Sequence, residues 1–429
     1  MFEVSAYSIV PDDSDEGGLT IKADDVARVG RPMHFSKRTN WNMEESELAQ
    51  AHRKRLEAGL PIADLTASNP TRCGFVYPTA LLTALNDPRS LDYDPQPLGM
   101  LPARQAVCDY YAAHSVALDP GQIVLTTSTS EAYSYLFRLL CDPGDQIIAL
   151  QPGYPLFDFL AGLDDVTLGA APLVYDEGWQ IEFEGLERTI TERTRAIVVV
   201  HPNNPTGHFT KQWEKDRLAD LCRRHNISLI VDEVFLDYRF NAGAQPSSFA
   251  AGIEGVPVFV VSGLSKIAGL PQMKAAWIVA TGPEIPATMA RLEVIADTFL
   301  SMNAPVQWAL PRWLQASNAI QSQILTRVQS NLAALDRALI AAPQLARLKV
   351  EGGWYAVLRI PALDPDDATA LKLLEHGVWV QPGHFFGMGE SGRLVVSLLA
   401  PEAEFSTGVT TLVDYFRTHQ VSNNSEDQP

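Results

Sequence analysis

Lys266 stands in the stretch "VSGLSKIAGLPQMK" (261–274), where an apolar run gives way to a loop carrying glycine. A lysine so placed could be an ordinary surface residue. A chemical role would need a pocket that lowers its basicity and a reaction that uses an uncharged amine. Schiff-base chemistry on a carbonyl meets both conditions. If the carbonyl belongs to a pyridine aldehyde, three further groups are required: an acid at the ring nitrogen, a donor at the phenolic oxygen and an anion cradle. Asp232, closing "ISLIVDEV", is a candidate for the first, since a carboxylate there keeps the ring protonated and able to accept electrons; it could also cap the next turn. "HPNNPTG" (201–207) makes a stiff turn from which Asn204 can aim its amide at an oxyanion. "TTSTSEA" (126–132) opens a helix with hydroxyl side chains and free N–H groups, an arrangement that binds anions and equally serves as a plain N-cap.

These residues need a frame that gathers them. Between residues 61 and 310, short apolar runs alternate with helical patterns: "QIVLTTS" before "EAYSYLFRLLC", "DQIIALQP" before "YPLFDFLAGL", and "RAIVVVHP" before "QWEKDRLADLCRRHN". "ISLIVDEV", "VPVFVVSG" and "AAWIVATG" continue the series. Continuous β-rich runs between helices predict an α/β fold, with a large, mostly parallel sheet flanked by helices. In such sheets ligands bind beyond the carboxyl ends of the strands. Thr127-Ser128-Thr129, Asn203-Asn204, Asp232 and Lys266 all fall at those ends.

Past residue 310 the rhythm changes. Two helical stretches, "PVQWALPRWLQAS" and "QSQILTRVQSNLAALDRALIAA", lead into a smaller α+β C-terminal domain over 311–420. Residues 1–35 and 421–429 are acidic or polar without periodicity and are expected to be flexible. Asn42 and Glu45 have capping-box spacing for a helix within 36–60, which is expected to pack on the small domain.

Composition narrows the class. The 429 residues carry 33 Lys+Arg against 51 Asp+Glu, a formal charge of -18, which disfavours nucleic acid and anionic membrane as partners. Hydrophobic content of 46% fits a globular enzyme with a sizeable core. The four cysteines are far apart, reading as thiols rather than as a disulfide or metal framework. The acidic start "MFEVSAYSIVPDDSDEGG" is unlike a signal peptide, so a cytoplasmic protein is expected, with no metal.

"HPNNPTG", the aspartate of "VDEVF" and "SGLSK", in this order, resemble the class I/II aminotransferases of the aspartate aminotransferase superfamily, the fold type I pyridoxal-phosphate enzymes. The resemblance covers roughly residues 60–420. It implies pyridoxal 5'-phosphate as cofactor, with Lys266 as the catalytic, Schiff-base-forming residue. Asp232 would pair the ring nitrogen, and Asn204 would donate to the phenolic oxygen. Thr127, Ser128, Thr129 and Ser265 would bind the phosphate, with Lys274 at the place of the usual arginine. Tyr154 matches the aromatic residue that stacks on the ring. "YDPQPLGMLPARQAV" makes Tyr93 the residue that reaches a neighbouring subunit's phosphate, which implies a homodimer. Arg393 in "SGRLVVSL" matches the arginine that clamps the substrate carboxylate, and Asn69 joins it at the substrate.

The sequence departs from the family pattern in three places. Phe235 replaces a tyrosine, Lys274 keeps a charge but loses the guanidinium fork, and Gly263 replaces a serine, with Ser262 one position earlier. The reading that follows is a transaminase moving an amino group from a neutral amino acid to a 2-oxo acid. No arginine occurs in "IADTFLSMNAP" (295–305), where Asp297 aligns with a second, carboxylate-binding arginine, and Arg291 lies just before it. The alternative is a carbon–sulfur or cyclopropane-forming lyase on the same scaffold. A regulator fused to a DNA-binding module has little room or charge before residue 60.

Overall fold

A computed structural model describes residues 33–240 and 247–423. The chain divides into two compact units, residues 1–60 and 61–429. In the first, the helix Glu47–Glu57 starts at Ser46, whose Oγ accepts the Ala49 N–H at 3.2 Å. Asn42 instead closes a local turn, its Oδ1 accepting from the Glu44 N–H at 2.9 Å. The cap thus lies four residues later than the spacing of Asn42 and Glu45 predicts. Most of residues 1–35 and 421–429 lie outside the described residues, although the helix Glu402–Asn423 runs into the expected tail.

Among the described residues the strands lie in the second unit: β1 (Ala63–Asp64), β2 (Ile123–Thr126), β3 (Gln146–Gln151), β4 (Thr167–Tyr175), β5 (Trp179–Ile181), β6 (Thr194–Val200) and β7 (Ser228–Asp232). They continue with β8 (Val258–Gly263), β9 (Ala276–Thr281), β10 (Ala346–Arg347), β11 (Tyr355–Arg359), β12 (Val378–Trp379), β13 (Gln381–Pro382) and β14 (Arg393–Ser397). The large sheet has the order β2-β9-β8-β7-β6-β3-β4-β5. Strands β8, β7, β6, β3 and β4 pair in parallel, and β9 runs antiparallel between β8 and β2. A four-stranded antiparallel sheet, β10-β11-β14-β13, forms in the C-terminal region.

Alternation along the strands supplies both faces. Ile148, Val199, Val231 and Val260 enter one apolar cluster, and Ile147, Val198, Ile230 and Val261 the opposite one. Side chains of the helix Thr129–Leu140 pack in the second cluster, and side chains of the helices Leu101–Ala113 and Ala304–Leu339 in the first. This leaves the carboxyl ends of β6, β7 and β8 side by side. The two helical stretches expected after residue 304 are one helix, Ala304–Leu339, with Pro311 inside it. No helix among the described residues is long and apolar enough to cross a membrane.

Candidate active site

Strand β7 is buried along its whole length and ends at Asp232, which is 6% exposed. Its Oδ1 accepts from the Val234 N–H at 3.0 Å and its Oδ2 from the Tyr133 hydroxyl at 3.1 Å. A carboxylate with two oxygens has lone pairs left for another donor. Burial pushes its pKa up to about 6, against the pull of these bonds and of Lys266. Strand β8 ends at Gly263, where the chain turns into the short helix Leu264–Ile267 that carries Lys266. A Cβ at Gly263 would lie 2.8 Å from the Ala276 Cβ and 2.9 Å from the Ala275 carbonyl oxygen. The close approach of β8 to β9 therefore excludes the serine expected at this position.

Burial pulls the Lys266 amine down to about 8, partly offset by Asp232. Its Nζ lies 4.9 Å from the centroid of the Trp354 ring and 5.7 Å from that of Phe235. The Tyr238 hydroxyl donates to the Lys266 carbonyl at 2.6 Å, so that tyrosine fixes the backbone of the lysine.

The turn after β6 divides the work between two asparagines. Asn203 is structural: its Oδ1 accepts from the Thr206 N–H at 3.3 Å and the Thr206 hydroxyl at 2.8 Å. Its backbone N–H donates to the His208 carbonyl at 2.9 Å. Asn204 is thereby released from building the turn, and its Oδ1 is buried without a partner among the described residues. A 180° amide flip would present donors at the same place.

At the start of the helix Thr129–Leu140, Ser128 caps, its Oγ accepting from the Glu131 N–H at 3.2 Å. Thr127 is already engaged, both its N–H (2.7 Å) and its hydroxyl (3.0 Å) donating to Glu131 Oε2. Ser301 donates to the same carboxylate oxygen at 2.9 Å. An acid in the first turn complements the positive end of the helix, and here it takes the donors of Thr127 expected for an anion. Ser128 and Thr129 remain at the helix end.

The other expected residues are less gathered. Tyr154 is half-buried and meets Phe157 edge-on at 5.7 Å; Asp232 and Tyr355 lie close enough to add to the upward push that burial gives its hydroxyl pKa. Ser265 is half-buried, whereas Lys274 is exposed in a left-handed conformation with φ 51°. Tyr93 is 84% exposed. Asn69 caps a turn, its Oδ1 accepting from the Thr71 N–H and hydroxyl at 3.1 and 2.7 Å, which leaves its amide N–H groups as donors.

Arg393 is the first residue of β14, opposite Arg359, whereas Ser397, at the other end, faces Tyr355, and the Leu398 N–H donates to the Trp354 carbonyl at 2.7 Å. Four residues of strand, about 13 Å at ~3.3 Å each, separate the two ends. The guanidinium donates to Glu390 Oε2 at 2.6 Å and to the Gly392 carbonyl at 3.1 Å. The expected substrate clamp is thus paired with Glu390, a carboxylate whose side chain is 80% exposed. Losing a charge-assisted clamp would cost at least about tenfold in kcat/KM. Arg393→Gln should therefore lower kcat/KM by about tenfold or more in steady-state assays, and a change within about threefold would remove Arg393 from the substrate.

Three residues absent from the sequence reading belong to this site: Tyr133 at Asp232, Glu131 at the helix end and Trp354 over the lysine. Tyr133 lies four positions after Thr129, on the same face of the helix, a spacing visible in the sequence. Trp354 lies far along the chain, and only the fold brings it here.

Taken together, the residues fit a pyridine aldehyde phosphate. A partly desolvated amine, a buried carboxylate with spare lone pairs, a buried Asn204 amide whose flip presents donors, and a capped helix N-terminus are the groups such a cofactor needs.

Comparison with known proteins agrees. The family described as Aminotransferase class I and II matches residues 73–404. An alanine aminotransferase of Mycobacterium tuberculosis is 30% identical over 340 residues, 75% of this chain and 78% of that protein. An S-alkyl-thiohydroximate lyase of Arabidopsis thaliana is 32% identical over 210 residues, 48% of this chain and 44% of that protein. The solved alanine aminotransferase of Pyrococcus furiosus has the same fold, with a TM-score of 0.82 at 22% identity, covering 90% of this chain and 100% of that one.

Proposed function

The chain belongs to the class I and II aminotransferases, and on that premise we propose that it takes its amino group from a neutral aliphatic or aromatic amino acid and passes it to a 2-oxo acid. The enzyme is a pyridoxal-phosphate-dependent transaminase. When bound, the cofactor supplies the carbonyl that takes up the amino group and a ring that accepts the electron pair left when the Cα proton departs. Lys266 would hold the cofactor and move the Cα proton with its amine. Asp232 would keep a proton on the ring nitrogen, and Asn204 would donate to the phenolic oxygen. Ser128 and Thr129 at the helix end, with Ser265 and Lys274, would hold the phosphate, and Tyr154 would stack on the ring. Thr127 could join them only by releasing Glu131.

One observation carries the assignment of the chemistry: an amine brought down to about 8 beside a buried carboxylate brought up to about 6, the carboxylate at the end of β7 and the amine just past the end of its neighbour β8. Such opposed shifts mark a site built for proton transfer near neutral pH.

The neutral donor rests on other residues. Asp297 is exposed near the end of the helix Ile285–Phe299, and Arg291, also exposed, donates to the Ala287 carbonyl of its own helix. An aspartate at the substrate would repel a side-chain carboxylate. Asn69 has amide hydrogens left for the α-carboxylate. The exposed Tyr93 lines a cavity of about 350 Å³ together with Leu300, Ser301, Met302 and Asn303. This supports a homodimer in which Tyr93 serves the partner's site.

The deciding experiment compares kcat/KM for aspartate with that for alanine, leucine, methionine and phenylalanine, with 2-oxoglutarate as acceptor. A neutral amino acid should lead aspartate by tenfold or more, and an aspartate lead of that size would reverse the reading. Release of ammonia with an oxo acid, without transfer, would favour a lyase, the activity named for the partial Arabidopsis relative.

A further inference from the structure

We propose that Trp354 is a positioning residue for Lys266, its indole face holding the lysine's ammonium by a cation–π contact and so setting where that amine rests and when it gives up its proton. The proposal goes beyond the assignment of Lys266, on which it rests.

The geometry is over-determined. Trp354 is fully buried, and its indole N–H has no partner among the described residues, so no hydrogen bond explains the ring's placement. Two other rings fix it instead. Phe235 meets it at 5.2 Å and 74°, and Tyr238 at 5.2 Å and 70°, both edge-on arrangements that aromatic quadrupoles favour. Tyr238 is also the residue whose hydroxyl holds the Lys266 carbonyl. The backbone is pinned as well: the Gly353 N–H donates to the Tyr238 carbonyl at 2.7 Å, and the Trp354 carbonyl accepts from Leu398. One tyrosine thus links the lysine's backbone to the ring against which its side chain rests.

The Nζ-to-centroid distance of 4.9 Å lies within the roughly 6 Å over which an indole face attracts a cation. Phe235, at 5.7 Å, adds a second and weaker face. Charged and titratable groups also surround the amine. Asp232 faces it from β7, and Tyr238 lies at its backbone. Tyr133 stands behind Asp232 from the helix Thr129–Leu140, with Tyr154 near the same carboxylate from the loop after β3. Asp232 and the indole therefore both favour the ammonium, against burial, which favours the neutral amine.

The test uses the full chain freed of cofactor. Lys266 is reductively methylated with formaldehyde and cyanoborohydride across pH 6–11, and its modification is followed by peptide mass spectrometry. In wild type the rate should rise with a midpoint near 8. Trp354→Leu keeps an apolar wall but removes the quadrupole, so the midpoint should fall by about 0.5–1.5 pH units. Trp354→Phe should give a smaller fall, and it carries the test if the leucine variant does not fold. An unchanged midpoint, or a rise towards that of a free lysine, would overturn the proposal; a rise would mean that the indole only excludes water. Borohydride fixation of the cofactor in wild type reports separately on Lys266 itself, so failure of that assignment and failure of the Trp354 contact remain distinguishable.

Discussion

Lys266→Ala should abolish transamination, lowering kcat by about 10⁴-fold or more, because one substitution removes both the covalent partner of the cofactor and the base that moves the Cα proton. Borohydride should fix the cofactor to Lys266 in wild type and to no residue in the variant. The stability of the cofactor-free protein gives a second readout. The amine titrates at about 8 in the fold against 10.5 in an unfolded chain. Between those values the unfolded state binds more protons, so wild-type stability should rise as pH climbs from about 8 to 10.5. Below pH 8 the buried ammonium destabilises the fold by up to about 3 kcal/mol, less any screening at a partly exposed residue. The alanine variant should lack that slope and melt higher at pH 7.5. A variant retaining more than about a hundredth of wild-type turnover would end the assignment.

Asp232→Asn should move activity and stability in opposite directions. Without a carboxylate the ring nitrogen has no counter-charge, and kcat should fall by at least about 10²-fold, with weaker retention of the cofactor. The cofactor-free protein should become more stable at neutral pH. Burial lifts the Asp232 carboxyl from 3.8 to about 6, so the charged form is disfavoured by about 3 kcal/mol in the fold. The folded state holds more protons between those values, and wild-type stability should therefore fall as pH rises from about 4 to 6, then level off. An asparagine oxygen can keep one of the bonds from Val234 and Tyr133, and the amide carries no charge to desolvate. Thermal melts of both cofactor-free proteins at pH 4.5 and 7.5, beside steady-state rates, check both halves. Full activity in the asparagine variant would remove Asp232 from the site.

The residues proposed to do the chemistry are the most legible part of this chain. Asp232, Asn204 and Lys266 each follow a continuous apolar run, and a parallel sheet has only one way to align such ends. The same logic passed over β4, where "TLGAAPLVY" mixes glycine, alanine and proline with half-exposed positions and does not form an apolar run. The sequence shows two helical stretches separated at residues 318–320, yet the chain runs through both as one helix, which also accommodates Pro311 in its third turn. What Arg393 touches was not legible in the same way. A motif fixes residue types in order, but which end of β14 meets the pocket depends on its register with β11, and that register is a tertiary fact. The same holds for Trp354, whose neighbours come from the turn after β7.

The clasp between β8 and β9 has a consequence for how this gene can vary. The two strands are adjacent and antiparallel, Gly263 opposite Ala276, and the Leu264 N–H donates to the Ala275 carbonyl at 2.9 Å. The segment bearing Lys266 is therefore tied off at both ends, and Asp232 is set on the next strand by its pairing with Val261. Adding or deleting even one codon between residues 264 and 275 would rotate the lysine away from the aspartate or break the clasp. Length variants there should be purged, while substitutions at exposed Gln272 or Lys274 keep the frame. In a library of random insertions, this stretch should appear as a sharp gap flanked by tolerant surface loops.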